Sequence, residues 1–130
     1  MADSYFGYKV RKELYPGEDE YFKGNAHVSG MAADDGNIVF NPYSQGVNFD
    51  AVGQNEAARL WLRQNKIEPQ FDITPEQRAY FAGTPYEKDE LAMKHTILGR
   101  LISGDPSAGI PTLAQKEAAG WLKSQLQSRK

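Results

Sequence analysis

The sequence contains no cysteine. Disulfides, thiolate zinc sites, iron–sulfur clusters and a cysteine nucleophile are therefore excluded. Long hydrophobic runs are also missing: the uninterrupted apolar stretches are a few residues long, far short of a membrane span. There is no excess of positive charge, since the formal net charge is -2 and the pI is near 5.7. Domains whose main task is a nonspecific grip on DNA carry a basic excess, so the balance weighs against nucleic acid without excluding a local patch. Only two histidines occur, His27 and His95, too remote in sequence to suggest a metal site. No Gly-x-Ser-x-Gly is present, and Gly104-Asp105-Pro106-Ser107-Ala108-Gly109 lacks both the spacing and the lysine of a phosphate loop. The N-terminus lacks the basic start and apolar run of a signal peptide, which predicts an intracellular protein.

What is present suits a globular domain. The chain has 130 residues, 40% hydrophobic and 25% charged, which predicts one domain over 1–130, with the aromatic stretch Tyr5–Val10 open between a short strand and an extended arm, the arm being flexible over 1–8. Tyr15-Pro16-Gly17-Glu18 reads as a turn, and the acidic run Glu18-Asp19-Glu20 as the start of a short helix through Lys23. Two apolar runs, His27–Ala32 and Asn37–Asn41, flank Ala33-Asp34-Asp35-Gly36, a strong hairpin signal closed by Pro42. One hairpin is marginal alone, so it must pack on helices or further strands. Helical periodicity begins near Phe49, and Pro69 closes the connection after it, with Phe71 and Ile73 as anchors of an extended segment. Thr74-Pro75-Glu76-Gln77, Thr84-Pro85-Tyr86-Glu87 and Thr112-Leu113-Ala114-Gln115 each fit a capping box, and Gly83 and Gly104 sit where helices end. The expected fold is α+β, an N-terminal β-hairpin packed on about four helices near 50–64, 75–82, 86–102 and 113–127.

Asn55-Glu56-Ala57-Ala58-Arg59 has the outline of a zinc-protease helix, but Asn and Arg stand where two histidines are required. Glu56 shares a stripe with Val52 and Leu60 and is expected to face the core, bonded to a neighbouring Arg, Tyr or backbone donor. His95 lies on one face with Leu91, Leu98 and Ile102. If it met Glu56 across a helix contact, the two could act as an acid–base pair, and they are the candidate catalytic residues. Lys116, Lys123, Arg129 and Lys130 make the last helix the candidate for touching phosphates, set against a plain solvated face. Tyr and Phe are plentiful, seven and six residues, and several fall in irregular segments. Tyr5, Phe6 and Tyr8 in the arm, with Tyr43 and Phe49 in the segment Asn41–Phe49, are the candidate partner-binding residues.

Asn41-Pro42-Tyr43-Ser44, Asn55-Glu56-Ala57-Ala58-Arg59 and Ser103-Gly104-Asp105-Pro106-Ser107-Ala108 with Pro111-Thr112 together resemble small uncharacterised proteins of tailed phages and prophages. The likeness runs from the hairpin to the last helix and carries no catalytic residue with it. It implies a viral or prophage context, in the host cytoplasm or the virion. The reading that results is a noncatalytic accessory or interaction protein, a minor virion component or a host-factor binder, with a viral or host protein partner. It needs no cofactor, metal or membrane, and leaves homo-oligomerisation open. A small enzyme using Glu56 and His95 and a nucleic-acid-binding accessory protein stand as alternatives.

Overall fold

The computed structural model describes residues 2–129 and shows an α+β fold. In chain order the elements are β1 (Ser4–Tyr5), β2 (Tyr8–Lys9), α1 (Pro16–Gly24), β3 (Gly30–Ala32), β4 (Ile38–Phe40), α2 (Phe49–Gln64), α3 (Pro75–Phe81), α4 (Glu90–Ser103) and α5 (Leu113–Gln127), with a 3-10 turn at Pro106–Ala108. Two antiparallel hairpins, β1–β2 and β3–β4, therefore accompany five α-helices.

The first hairpin replaces the expected arm. Tyr5 pairs with Tyr8 across a two-residue turn in which Phe6 and Gly7 both have positive φ, 51° and 80°. That geometry matches the natural strand twist, and Gly7 adopts it freely. The tyrosines are pulled inward rather than left free: Tyr5 is 8% exposed and Tyr8 3%. The Tyr5 ring lies where a side chain on Gly53 of α2 would be, 2.3 Å from a hypothetical Cβ. Tyr5 donates its hydroxyl hydrogen to Asp50, and Tyr8 donates to Gln64 Oε1 at 2.9 Å, so both are fixed along α2. Arg129, beyond α5, lies 3.7 Å above the Tyr8 ring and donates to the Phe6 carbonyl at 3.0 Å.

The second hairpin has the register Gly30↔Phe40, Met31↔Val39 and Ala32↔Ile38. Val10 adds an isolated parallel bridge to Ile38. Arg11 then ties three segments together, bonding Glu18 of α1 through two nitrogens at 2.8 and 2.7 Å and Asp35 of the β3–β4 turn at 2.9 Å. Its Glu18 partner in turn accepts from the Tyr15 N–H at 2.9 Å, closing the start of α1. Phe22, fully buried, plugs α1 onto Ala33 and Val39.

The main core lies around α2, which packs chiefly on α4 and also meets β1, β3, β4 and α5. Leu60 and Leu62 of α2, Met93, Ile97 and Leu98 of α4, and Leu122 and Leu126 of α5 meet there, with Phe71 and Ile73 anchoring the α2–α3 connection. Leu91 departs from the expected inner face of α4 and is 40% exposed, because the buried stripe runs through Met93, Thr96, Ile97 and Gly99 instead.

Two of the three capping boxes form. Gln77 and Gln115 each accept from the N–H of their own Thr, at 3.0 and 3.2 Å. Both side chains are buried, and their amides face each other: Gln77 Nε2 donates to Gln115 Oε1 at 2.6 Å and Gln115 Nε2 donates to Gln77 Oε1 at 2.8 Å. The remaining hydrogens reach the carbonyls of Ala108 and Asp72 at 3.1 and 2.8 Å. The third box, at Thr84, is a turn instead. The Thr84 hydroxyl donates to Phe81 O at 2.6 Å, Glu87 accepts from the Gly83 N–H, and α4 starts at Glu90 rather than at 86. Its cap is Asp89, which accepts from Ala92 N at 3.0 Å.

Gln115→Glu preserves the capping acceptor but removes both donors and buries a carboxylate. It is expected to cost about 3 kcal/mol in urea unfolding; a loss below about 1 kcal/mol would rule out the amide pair. Asp89→Ala is expected to cost about 1 kcal/mol and to fray Glu90–Ala92 in NMR chemical shifts. Thr84→Ala should leave that first turn intact.

Candidate functional site

Helices α2 and α4 run antiparallel, with Asn55 against Gly99 at one end and Leu62 and Arg63 beside Leu91 and His95 at the other. Glu56, buried at 4% exposure, bonds Arg59 at 3.0 Å, and Arg59 donates on to the Tyr86 hydroxyl at 3.2 Å. The carboxylate is thus held within its own helix and lines none of the clefts described below. His95 turns to a different partner, placing Nε2 2.8 Å from the Ile67 carbonyl. A carbonyl only accepts, so Nε2 carries the proton and Nδ1 is the free nitrogen. Two adjoining clefts of about 320 and 200 Å³ share His95, Arg63 and Leu91. No hydrogen bond joins Glu56 to His95 among the described residues; Glu56 is held by Arg59 and His95 by the Ile67 carbonyl.

The remaining sequence candidates fall into separate places. Tyr5 and Tyr8 are committed to the core, and Phe6 packs against it, so the three do not make a projecting arm. His27 is exposed at the approach to β3. Tyr43, 39% exposed, bonds Asp19 of α1 at 2.9 Å. Of the cations expected on the last helix, Lys116 and Lys123 are exposed, Arg129 is turned back onto Tyr8, and Lys130 lies outside the described residues. No group of three or more His, Asp or Glu among the described residues could hold a metal ion. None of the described helices is long and apolar enough to cross a membrane.

Phe49 does line a cleft. With Val10, Phe40 and Pro42 it walls a space of about 400 Å³, bordered by Arg11, Lys12, Asn41 and Ser44. The Phe40 and Phe49 rings lie 5.0 Å apart, and Tyr5 packs edge-on behind Phe40 at 6.2 Å. Flanking bonds from Ala33 N to Asn37 O and from Asn41 N to Ser29 O fix the β3–β4 alternation. Phe40 then occupies a non-hydrogen-bonded position opposite Gly30, so its N–H and C=O face the other edge of β4. Val10 and Arg11 cover that edge only at Ile38, where Arg11 N donates to Ile38 O at 2.8 Å. Beyond Ile38 no hydrogen bond from the described residues reaches this edge where it borders the cleft. Lys12, on the rim, pairs with Asp3 at 3.1 Å, and with both side chains well exposed the pair is worth little.

Sequence reasoning placed the segment Asn41–Phe49 among the interface candidates but missed Val10, Lys12 and Phe40. Phe40 just before Asn41-Pro42, where a strand must end, and Phe49 at the start of the following helical pattern are the signal that could have found this wall.

The groove at His95 generates a pH test. Burial is the main cause pushing its pKa below the ordinary 6.5, with Arg59 and Arg63 acting the same way against the Ile67 bond and Asp89. The unfolded chain therefore takes up this proton first. The stabilisation is full above about pH 6.5, begins to fall below it, and is gone once pH has passed the lower folded value. His95→Gln, which keeps a donor for Ile67, is expected to remove this component. Urea midpoints should fall less for the variant than for the wild type as pH drops from neutrality toward 5; parallel curves would contradict the burial of His95. No protein-family model, curated protein or solved structure matches the chain, so every residue role rests on this chain's own geometry.

Proposed function

We propose that the protein is a noncatalytic interaction protein that docks an extended peptide segment of a partner protein in the cleft between residues 10–12 and 40–49. The observation that carries this reading is the unpaired edge of β4 at Phe40, bordering an apolar cleft with Lys12 on its rim. An extended strand can bond to such an edge through its own main chain, while pockets for alternate side chains select the sequence. Here Phe40, Phe49, Val10 and Pro42 suit one large apolar side chain, and Lys12 suits an acidic residue beside it. The separate engagement of Glu56 and His95 supports a binding role over a catalytic one. The resemblance to phage and prophage proteins supplies the context, an accessory protein acting on a viral or host partner.

The test is selection from a random-peptide display library on the immobilised protein, followed by titration of the enriched peptide. An apolar–acidic motif is expected. Phe49→Ser should weaken its binding by at least about tenfold, near 1.4 kcal/mol, and Lys12→Glu should invert the preference for acidic neighbours. Enrichment that ignores both substitutions, or no enrichment, would refute the reading.

A further inference from the structure

On the other side of the segment Asn41–Phe49 lies a second cleft, of about 420 Å³, lined by Ser29, Val47, Asn48, Ala51, Val52, Asn55, Ser103, Gly104, Asp105 and Pro106. Its floor holds the least satisfied polar group described. Asn55 Oδ1 is buried without any hydrogen-bond partner. It is pressed onto Gly99, where a Cβ would sit 2.1 Å from this oxygen and 3.2 Å from the Asn55 carbonyl. A Cα–H contact is a weak substitute for a hydrogen bond. The fold thus accepts two local penalties at one point, a glycine inside α4 and an orphaned carbonyl on α2. Violations of this kind concentrate where function requires them.

The arrangement leaves the other half of the amide useful. With Oδ1 against Gly99, the Asn55 NH2 is the part open to the cleft, and no bond within the described chain engages it. Asn48 uses Oδ1 to cap α2 at Ala51 N, 3.2 Å, which leaves its NH2 free as well. Asp105 commits Oδ1 to the Ser107 N–H and hydroxyl at 2.9 and 2.8 Å, and its Oδ2 remains an open acceptor. Among the described residues the Ser29 hydroxyl makes no hydrogen bond, and Ser103 donates to Arg100 O at 3.2 Å, so both can still accept. No cation lines the cleft, and Asp105 adds a negative charge. Val47, Ala51, Val52 and Pro106 provide apolar walls.

We infer that this cleft binds a neutral, hydroxyl-rich ligand, a sugar unit, with the Asn55 and Asn48 amides donating to its oxygens and Asp105 accepting from its hydroxyls. A hydroxyl both donates and accepts, which matches donors and an acceptor arrayed around one space. Asp105 would repel a phosphate-bearing ligand, and no cation lines the cleft to offset that repulsion. A cleft with a few convergent polar groups on apolar walls is the usual form of a small-molecule site. This inference is independent of the peptide reading, because the two clefts share no residue.

Two measurements test it. The first is the thermal midpoint of Asn55→Leu and Asn55→Ala. If Asn55 is kept for a ligand, at least one variant should melt no lower than the wild type, since the orphaned oxygen is gone. A lower midpoint for both would show that Asn55 is there for stability and would overturn the inference. The second follows the side-chain NH2 signals of Asn48 and Asn55 by 15N NMR during addition of D-glucose, N-acetyl-D-glucosamine or maltotriose. Saturable shifts with at least one sugar are expected, absent in Asn55→Leu at the remaining Asn48 signal and weakened about tenfold in Asp105→Ala. Tighter binding of maltotriose than glucose would identify a glycan chain as the source, and the reverse a free sugar. No saturable shift with any of the three, or shifts unchanged in both variants, would overturn the site.

Discussion

The close approach of α2 to α4 at Gly99 is the constraint on which the rest of the molecule depends. A side chain at position 99 would strike Asn55, so the two helices can meet at this distance only because Gly99 has none. From that point the seam continues through the Glu56–Arg59–Tyr86 chain of bonds and ends where His95 holds the Ile67 carbonyl. Gly53 plays the matching part on another side of α2, where it admits the Tyr5 ring. With both faces occupied, α2 becomes the axis against which the hairpins and α5 are placed. The two clefts then open on either side of the chain that enters it.

Polar groups fix this arrangement as much as apolar ones. Asn41, fully buried, donates to the carbonyls of Phe22, Asn25 and Val28 at 3.3, 3.2 and 2.6 Å and accepts from Tyr43 N at 2.8 Å. It therefore holds the end of α1 against the end of β4. The Gln77–Gln115 amide pair does the same for the starts of α3 and α5. Buried amides that are fully bonded specify one packing, because any slip leaves several groups unpaired. Against that background the Asn55 Oδ1, buried against Gly99 without a hydrogen-bond partner among the described residues, is the exception.

The sequence made legible what is decided locally. The capping boxes at Thr74 and Thr112, the C-terminal glycine at 104 and the Asp-Gly hairpin involve residues a few positions apart, and each lies where its chemistry dictates. Thr84 misled because Thr-Pro also suits a turn, and Asp89 looked like helix interior although its carboxylate is the cap. The N-terminal tyrosines misled for the opposite reason. Their burial depends on Gly53 and Gln64, far along the chain, and their Phe-Gly turn lacks the Asn or Asp that marks a two-residue hairpin in a sequence. The burial of Glu56 followed from its stripe, but periodicity says nothing of where a side chain on a second helix turns, so the separate fate of His95 was not readable. Both clefts are assembled from segments that are distant in sequence, and only single walls of each left a trace.

The contact of Arg129 with Phe6 and Tyr8 ties the last described residue to the tip of the first hairpin. Ala2, by contrast, meets the Tyr5 hydroxyl beside Asp50, at the end of α2 opposite to Gln64 and the Tyr8 hydroxyl. The first hairpin is therefore clamped twice, at its tip by Arg129 and along α2 by Tyr5, so that loosening one clamp leaves the other in place.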